Sequence, residues 1–325
     1  MARALALAER GLYTTTPNPR VGCVIVRAGE IVGEGYHERA GQAHAEVNAL
    51  AQAGTRAAGA TAYVTLEPCN HHGRTPPCVD ALIAAKVARV IAAMPDPNPV
   101  ASGGAERLRD AGIAYHVGLM AEAAQELNIG FVSRVTRGRP WVRLKVAASL
   151  DGRTALANGI SQWITGPDAR RDGHHYRARA CAVLTGIGTV RDDDAQLTVR
   201  DVATPRQPLR VLVDSRLEVP RDARIFKGVN GAPGGNVIVA GAVEHRERIA
   251  MLESLGAEVI ILPNPHGKVE LADLLAVLGR RGINELHIEA GHKLNGSLVR
   301  EEVIDIGQGY VMDDYVMGRQ LPPAT

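Results

Sequence analysis

Four residues in the first quarter of this 325-residue chain could do chemistry together: His44, Glu46, Cys69 and Cys78. A neutral imidazole and two thiolates form the donor set of a tetrahedral zinc site. Three protein ligands leave the fourth position to water, whose pKa falls to roughly 7 on the metal. Glu46, two residues past His44, is the natural proton carrier: a carboxylate that is not a ligand can take a proton from that water and return one to a departing amine. The chemistry expected is hydrolytic removal of an amino group. The same donors could instead close a structural zinc site, with His71 or His72 as fourth ligand. Such a site has no use for a carboxylate placed beside the metal at the start of a helix.

These residues need elements to hold them. Apolar runs at 21–27, 31–36, 61–66, 88–93 and 113–117 read as strands, with helical patterns at 43–53, 78–87 and 103–111, which describes a layered α/β domain. Cys69 then lies just beyond a strand, and Pro76-Pro77 lead into a helix opening at Cys78, where unpaired amides would favour a thiolate. Residues 121–138 read as one helix bridging to a second domain, and the division falls near Arg137-Gly138-Arg139-Pro140, giving domains 1–138 and 139–325. Cys23 and Cys181 sit in the apolar runs VGCVIV and ACAVLTG and read as small core residues.

Composition excludes several classes. With 37 basic and 35 acidic residues the formal net charge is +2, and no basic run or aromatic stripe forms a nucleic-acid groove, so DNA or RNA base editing is disfavoured. Four cysteines, two committed to metal, make no disulfide framework and suit a reducing cytoplasm. MARALALAERGL is charged at Arg3, Glu9 and Arg10 and reads as an amphipathic helix rather than a signal peptide, and no apolar run approaches the ~20 residues needed to cross a bilayer.

The segment between the cysteines is informative in another way. Eight residues separate Cys69 from Cys78, where the usual deaminase signature has two, and the run PCNHHGRTPPC resembles the deaminase half of the bifunctional riboflavin-biosynthesis deaminase/reductase family. TPNPRVGCVIV at 16–26, GEGYHERAGQAHAEVNAL at 33–50 and TLEPC at 65–69 resemble the same family in the same order. The resemblance implies that His44, Cys69 and Cys78 bind zinc, that Glu46 transfers protons and that Asn18 helps hold a pyrimidine ring. His71 and His72 would touch substrate or the zinc surroundings, or be solvated.

The second half carries quieter signals. WVRLKVAASLDGRTA, SQWITG at 161–166 and VLTGIGTVRDDDAQLTVR at 183–200 resemble the reductase half of that family. The fold implied is two α/β domains: an N-terminal cytidine-deaminase-like three-layer α/β/α domain and a C-terminal dihydrofolate-reductase-like α/β domain that binds NADPH without a Rossmann fingerprint. By resemblance, Ala147, Trp163, Thr189, Asp193, Ser215 and a glycine-rich loop formed by Gly291, His292, Lys293, Leu294, Asn295, Gly296 and Ser297 contact NADPH, while Ser161, Arg177, Leu197, Arg200 and Glu289 face the substrate. Gly186-Ile187-Gly188-Thr189 alone would read as a turn; after an apolar strand and before a short helix, its amides could receive a cofactor phosphate. Arg177 and Arg200 offer planar forks suited to a ribose phosphate, and Lys145 and Asp151 are further polar candidates.

The family resemblance implies two consecutive steps on a small phosphoribosylaminopyrimidine, deamination and then NADPH-dependent reduction of the ribosyl chain, in a cytoplasmic homo-oligomer. Two departures qualify it. Ile160 stands where the family has a glutamate, and beyond Asp305 the resemblance ends in IGQGYVMDDYVMGRQLPPAT, as a frameshift, a truncation or a real variant would produce. The chain also begins inside the family's first helix. The altered tail motivates an alternative in which the second half only supports the deaminase. A metal-stapled binding module without catalysis is the other.

Overall fold

The computed structural model describes residues 1–301, apart from 74, 150, 159, 162 and 229–235. The chain forms two compact units: Met1–Trp141 together with Gly279–Asn284, and Val142–Leu278 together with the chain from Glu285 onward.

The first unit runs α1 (Ala2–Glu9), β1 (Gly22–Arg27), β2 (Glu30–Tyr36), α2 (Ala45–Ala53), β3 (Thr61–Val64), α3 (Cys78–Ala84), β4 (Arg89–Ala92), α4 (Gly104–Asp110), β5 (Ala114–Val117), α5 (Ala121–Leu127) and α6 (Ile129–Arg137). Its sheet has the order β2-β1-β3-β4-β5. β1 is antiparallel to both neighbours, and β3, β4 and β5 are parallel. Alternation along β1 sorts its side chains: Cys23 and Ile25 join the core under α2, while Val24 packs with Ala4 and Leu7 of α1.

Glycines and alanines set how close α2 can lie. A Cβ on Gly35 would stand 2.5 Å from the Ala45 carbonyl oxygen, and one on Gly33 would stand 2.2 Å from that of Ala49. Ala45, Ala49 and Ala53 are buried against this strand. The helix backbone therefore rests almost directly on β2, and its first turn, which carries Glu46, has little freedom.

The single helix expected over 121–138 is broken. Asn128, buried with φ −110°, separates α5 from α6. Its side-chain oxygen accepts from the Arg20 amide at 2.8 Å and its NH2 donates to the Arg20 carbonyl at 2.9 Å, so it serves Arg20 as a strand neighbour would. These two bonds tie down the loop that carries Asn18.

The second unit runs β6 (Trp141–Lys145, its first residue in the first unit), α7 (Pro167–Arg179), β7 (Ala182–Gly186), α8 (Ile187–Asp193), β8 (Leu209–Val213), β9 (Val237–Gly241), α9 (Arg246–Ser254), β10 (Ala257–Ile261), α10 (Leu271–Arg280, whose last turn joins the first unit), β11 (Glu285–Glu289) and α11 (His292–Arg300). The sheet order is β10-β9-β8-β7-β11-β6, and the strands from β10 to β11 are mutually parallel. Such strands are covered on both faces, hence runs such as VIVAG in β9 that are buried throughout. Strand order reverses between β7 and β11, and in open α/β sheets ligands bind beyond the carboxyl ends of the strands at such a point.

The glycine-rich loop expected at 291–297 is instead the start of α11. Gly291 is the N-cap with an extended backbone, and helix begins at His292. Leu294 and Leu298 are four residues apart on one face; Leu298 is buried, and Leu294 lies 3.2 Å from where a Gly186 Cβ would be. That apolar pair favours a helix despite the glycines.

Candidate active sites

His44 precedes α2 as its N-cap, in an extended conformation, and Glu46 sits in the first turn at 3% exposure. Cys69 lies beyond the end of β3, and Cys78 opens α3. The Nδ1 atom of His44 is 3.2 Å from Cys78 Sγ and 3.5 Å from Cys69 Sγ, and the three donor atoms all lie within 4.8 Å of one another. Tetrahedral zinc with ordinary bond lengths places N and S donors roughly 3.5–3.8 Å apart. The donor set and spacing fit zinc. Among the described residues no fourth histidine, cysteine or carboxylate joins this group, so the closed structural site with His71 or His72 is not formed.

The charge at this site is unevenly shared. The hydrogen bond from the Cys78 thiol, reinforced by His44 and by the Cys78 amide at 3.4 Å, holds Cys69 down to about 4. That same bond, and then burial, push Cys78 up. The amide at the start of α3 thus serves Cys69, not Cys78 as the helix-start argument expects. A dication between the sulfurs allows both to be thiolates. Burial pushes Glu46 up to about 7, with the Cys69 charge adding to it. A buried, non-ligand carboxyl beside the donors is placed to accept and release a proton.

Two residues inside the family-like runs 33–50 and 65–69, to which the sequence assigned no role, complete the surroundings. His37, buried after β2, donates from Nδ1 to the Ala43 carbonyl at 3.1 Å, which leaves Nε2 to accept from the Asn18 side-chain NH2 at 3.1 Å. Its ring meets His44 edge-on at 5.2 Å. Glu67 accepts from the amides of Gly103 and Ala105 at 3.2 and 3.1 Å and from that of Asp96 at 3.4 Å, which gathers the ends of β3, β4 and α4. A Cβ on Gly104 would lie 2.0 Å from the Pro68 carbonyl oxygen, so α4 abuts the residue before Cys69.

In the second unit a cleft of about 230 Å³ is lined by residues including Lys145, Trp163, Arg177, Arg200 and Glu289. Arg177 grips Glu289 with both arms of its fork, Nε to Oε1 and Nη2 to Oε2 at 2.9 Å, while Nη1 donates to the Thr198 carbonyl at 3.0 Å. Burial alone would raise Glu289, but the hydrogen bonds from Arg177, with the nearby His287 ring 3.5 Å away, hold it well below the carboxylate range. Lys145 Nζ stands 3.8 Å from the same carboxylate, and Arg170 lies 4.3 Å over the exposed Trp163 ring.

The other expected residues are placed differently. Leu197 is buried in the core at φ 57°. Ser161 and Ala147 are half-buried and outside the cleft lining, and Asp151 is exposed in an ion pair with Arg153 at 2.8 Å. Thr189 and Asp193 ride on α8, Ser215 follows β8 and accepts from the Val269 amide at 3.2 Å, and Gly291 to Ser297 open α11. The Thr189 hydroxyl lies 4.0 Å from where a Gly291 Cβ would be, so α8 and α11 start side by side beyond the carboxyl ends of β7 and β11. Each has glycine as N-cap with no side chain closing its amides. Two such helix starts suit a cofactor's phosphates, so the residues fit NADPH.

The family model described as the cytidine and deoxycytidylate deaminase zinc-binding region matches residues 1–94, and the RibD C-terminal domain model matches residues 140–316. The riboflavin biosynthesis protein RibD of Escherichia coli is 51% identical over 318 residues, covering 94% of this chain and 84% of that protein. The chain belongs to the RibD family. Acinetobacter baumannii RibD superposes with a TM-score of 0.83 at 46% identity, over 94% of this chain and 83% of that one. A Thermotoga maritima diaminohydroxyphosphoribosylaminopyrimidine deaminase/5-amino-6-(5-phosphoribosylamino)uracil reductase does so at 0.81 and 34%, over 99% and 91%.

Membership makes the first unit cytidine-deaminase-like and the second a dihydrofolate-reductase-like domain of the RibD type. The protein is a bifunctional enzyme of riboflavin biosynthesis, a zinc-dependent deaminase joined to an NADPH-dependent reductase. The RibD C-terminal match runs to 316, past Asp305 where the expected likeness ends, and nothing supports a second half that only assists the first. The unusual tail itself lies outside the described residues. No described helix is long and apolar enough to cross a membrane.

Proposed function

We propose that the chain deaminates 2,5-diamino-6-ribosylamino-pyrimidinone 5'-phosphate and then reduces the resulting 5-amino-6-(5-phosphoribosylamino)uracil, with deamination carried by residues 1–138 and reduction by 139–325. The observation that carries the first step is the cluster of His44, Cys69 and Cys78 with buried Glu46 two residues from a ligand. Zinc held there supplies a Lewis acid and an acidified water. Asn18, oriented by His37, positions the pyrimidine ring. Glu46 would move both protons of the attacking water, one to the neighbouring ring nitrogen and one to the leaving amino group, so that the C–N bond breaks, ammonia departs and the ring keeps a carbonyl beside an N–H.

For the second step NADPH supplies the hydride. Trp163, Ala147, Thr189, Asp193, Ser215 and residues 291–297 would hold the cofactor, the helix starts taking its phosphates. Ser161, Arg177, the Leu197 backbone, Arg200 and Glu289 would hold the substrate. Arg177 is already neutralised by Glu289, which leaves Arg200 as the freer fork for the ribose phosphate. The enzyme works in the cytoplasm as a homo-oligomer in this reading, consistent with free cysteines in buried positions. The test supplies zinc-loaded protein with the aminouracil phosphate and follows NADPH oxidation, and separately supplies the diamino compound and follows ammonia. Ammonia without NADPH consumption would overturn the reductase assignment; the reverse would overturn the deaminase.

A further inference from the structure

The segment from Leu197 to Asp201 carries Arg200 into the reductase cleft, and it does so without regular secondary structure. Its backbone is secured by side chains from elsewhere. The Thr198 carbonyl accepts from Arg177 at 3.0 Å, and Gln207 takes both polar groups of Val199, accepting from its amide at 2.8 Å and donating to its carbonyl at 3.1 Å. The remaining anchor is His174 on α7, at 6% exposure. Its Nδ1 lies 3.2 Å from the Arg200 amide and its Nε2 lies 3.2 Å from Asp201 Oδ2. An amide N–H can only donate, so Nδ1 must be unprotonated and Nε2 carries the hydrogen given to Asp201. One neutral ring thereby fixes two consecutive residues, while the Arg200 side chain reaches back to the Thr198 hydroxyl at 2.9 Å.

We propose that His174 is a positioning residue for the reductase, holding the Arg200 backbone so that its guanidinium meets the substrate's anionic end. This rests on the reading of Arg200 as a substrate contact. Loss of the bond to the amide lets the segment shift, which weakens binding of the phosphorylated substrate and leaves hydride transfer from a saturated site intact.

The imidazole has two separable halves, and the amides mimic one each: asparagine places an oxygen near Nδ1, and glutamine places an NH2 near Nε2. In the full-length enzyme, His174→Gln should raise KM for 5-amino-6-(5-phosphoribosylamino)uracil about tenfold, the size of one lost hydrogen bond to a part-buried amide, with kcat near the wild-type value. His174→Asn, which keeps an acceptor for the amide, should return KM to within about threefold of wild type. A wild-type far-UV circular dichroism spectrum and NADPH oxidation at saturating substrate report that the second unit, which holds His174, is folded. Equal KM for wild type and His174→Gln, or equal losses in both variants, would overturn the proposal. Arg200→Lys separates this failure from that of the underlying reading: if that variant too leaves KM unchanged, Arg200 is not a substrate contact; if it raises KM while His174→Gln does not, only the positioning role falls.

Discussion

Glu46 is a carboxyl that the fold keeps out of water beside a cluster of sulfur and nitrogen donors, and the deaminase depends on its ability to carry a proton there. Glu46→Gln preserves shape and removes that ability. Ammonia release should fall by about 10²–10⁴, the range for loss of a general acid–base, while bound zinc by metal analysis and NADPH oxidation with the aminouracil stay at wild-type levels. An undiminished rate would remove Glu46 from the mechanism. A second buried group makes a different prediction. His287 is fully buried on β11, stacked on Tyr176 with ring centroids 6.0 Å apart, and shares its surroundings with Glu289, Arg143 and Arg177. Burial lowers its pKa, so the folded ring stays neutral while the unfolded chain takes up a proton below about pH 6.5. Its contribution is complete above that pH and is lost as pH falls. His287→Leu removes the linkage, so between pH 7.5 and 5.5 wild type should lose stability relative to the variant, by at most about 1.4 kcal/mol per unit below 6.5. Urea melts of both proteins check this, and a difference that does not change with pH refutes it. The zinc donors and Glu46 were legible in sequence because their chemistry demands particular types at short spacings. His174 acts only through contacts with residues of another segment, and His37, though inside the run 33–50, meets Asn18 from another, so spacing alone assigned neither a role.

Elements fix these residues through contact between backbones. α2 brings His44 and Glu46 to the metal because Gly35 lets the helix settle on β2, where a methyl group would stand 2.5 Å from the Ala45 carbonyl. Gly35→Ala must therefore push the first turn of α2 outward. The overpacking should cost about 1–3 kcal/mol in the first unit and lower zinc affinity and ammonia release at least about tenfold, with NADPH oxidation unchanged. Normal deaminase activity in a folded Gly35→Ala protein would show that the close approach is not needed. The strands of this unit were legible because apolar runs separated by turn residues are strong signals: β1, β3, β4 and β5 lie within the expected runs, and β2 begins one residue before its run. The break at Asn128 was not, because helix-forming residues continue on both sides and only the distant Arg20 backbone calls for a gap. The start of α11 was misread for the opposite reason: its glycines suggest a loop, and the Leu294 contact with Gly186 that secures the helix is made across the sheet.

At the scale of the molecule, the zinc donors belong wholly to one unit, and the cleft and the paired starts of α8 and α11 wholly to the other. A chelator that strips zinc should abolish ammonia release and lower the melting temperature of the first unit while NADPH oxidation persists. Loss of both activities together on chelation would contradict this separation. The partition of the chain has an effect in time as well as in space. Gly279–Asn284 belong to the first unit: a Gly279 Cβ would stand 2.2 Å from the Gly138 carbonyl oxygen, and Asn284 accepts from the Trp141 amide at 2.8 Å and donates to the Pro17 carbonyl at 3.2 Å. Every zinc donor has been synthesised once Cys78 is made, yet the fold that holds them is completed only when translation has passed Asn284, so a gene cut between the two catalytic halves would deliver a deaminase missing part of its own body.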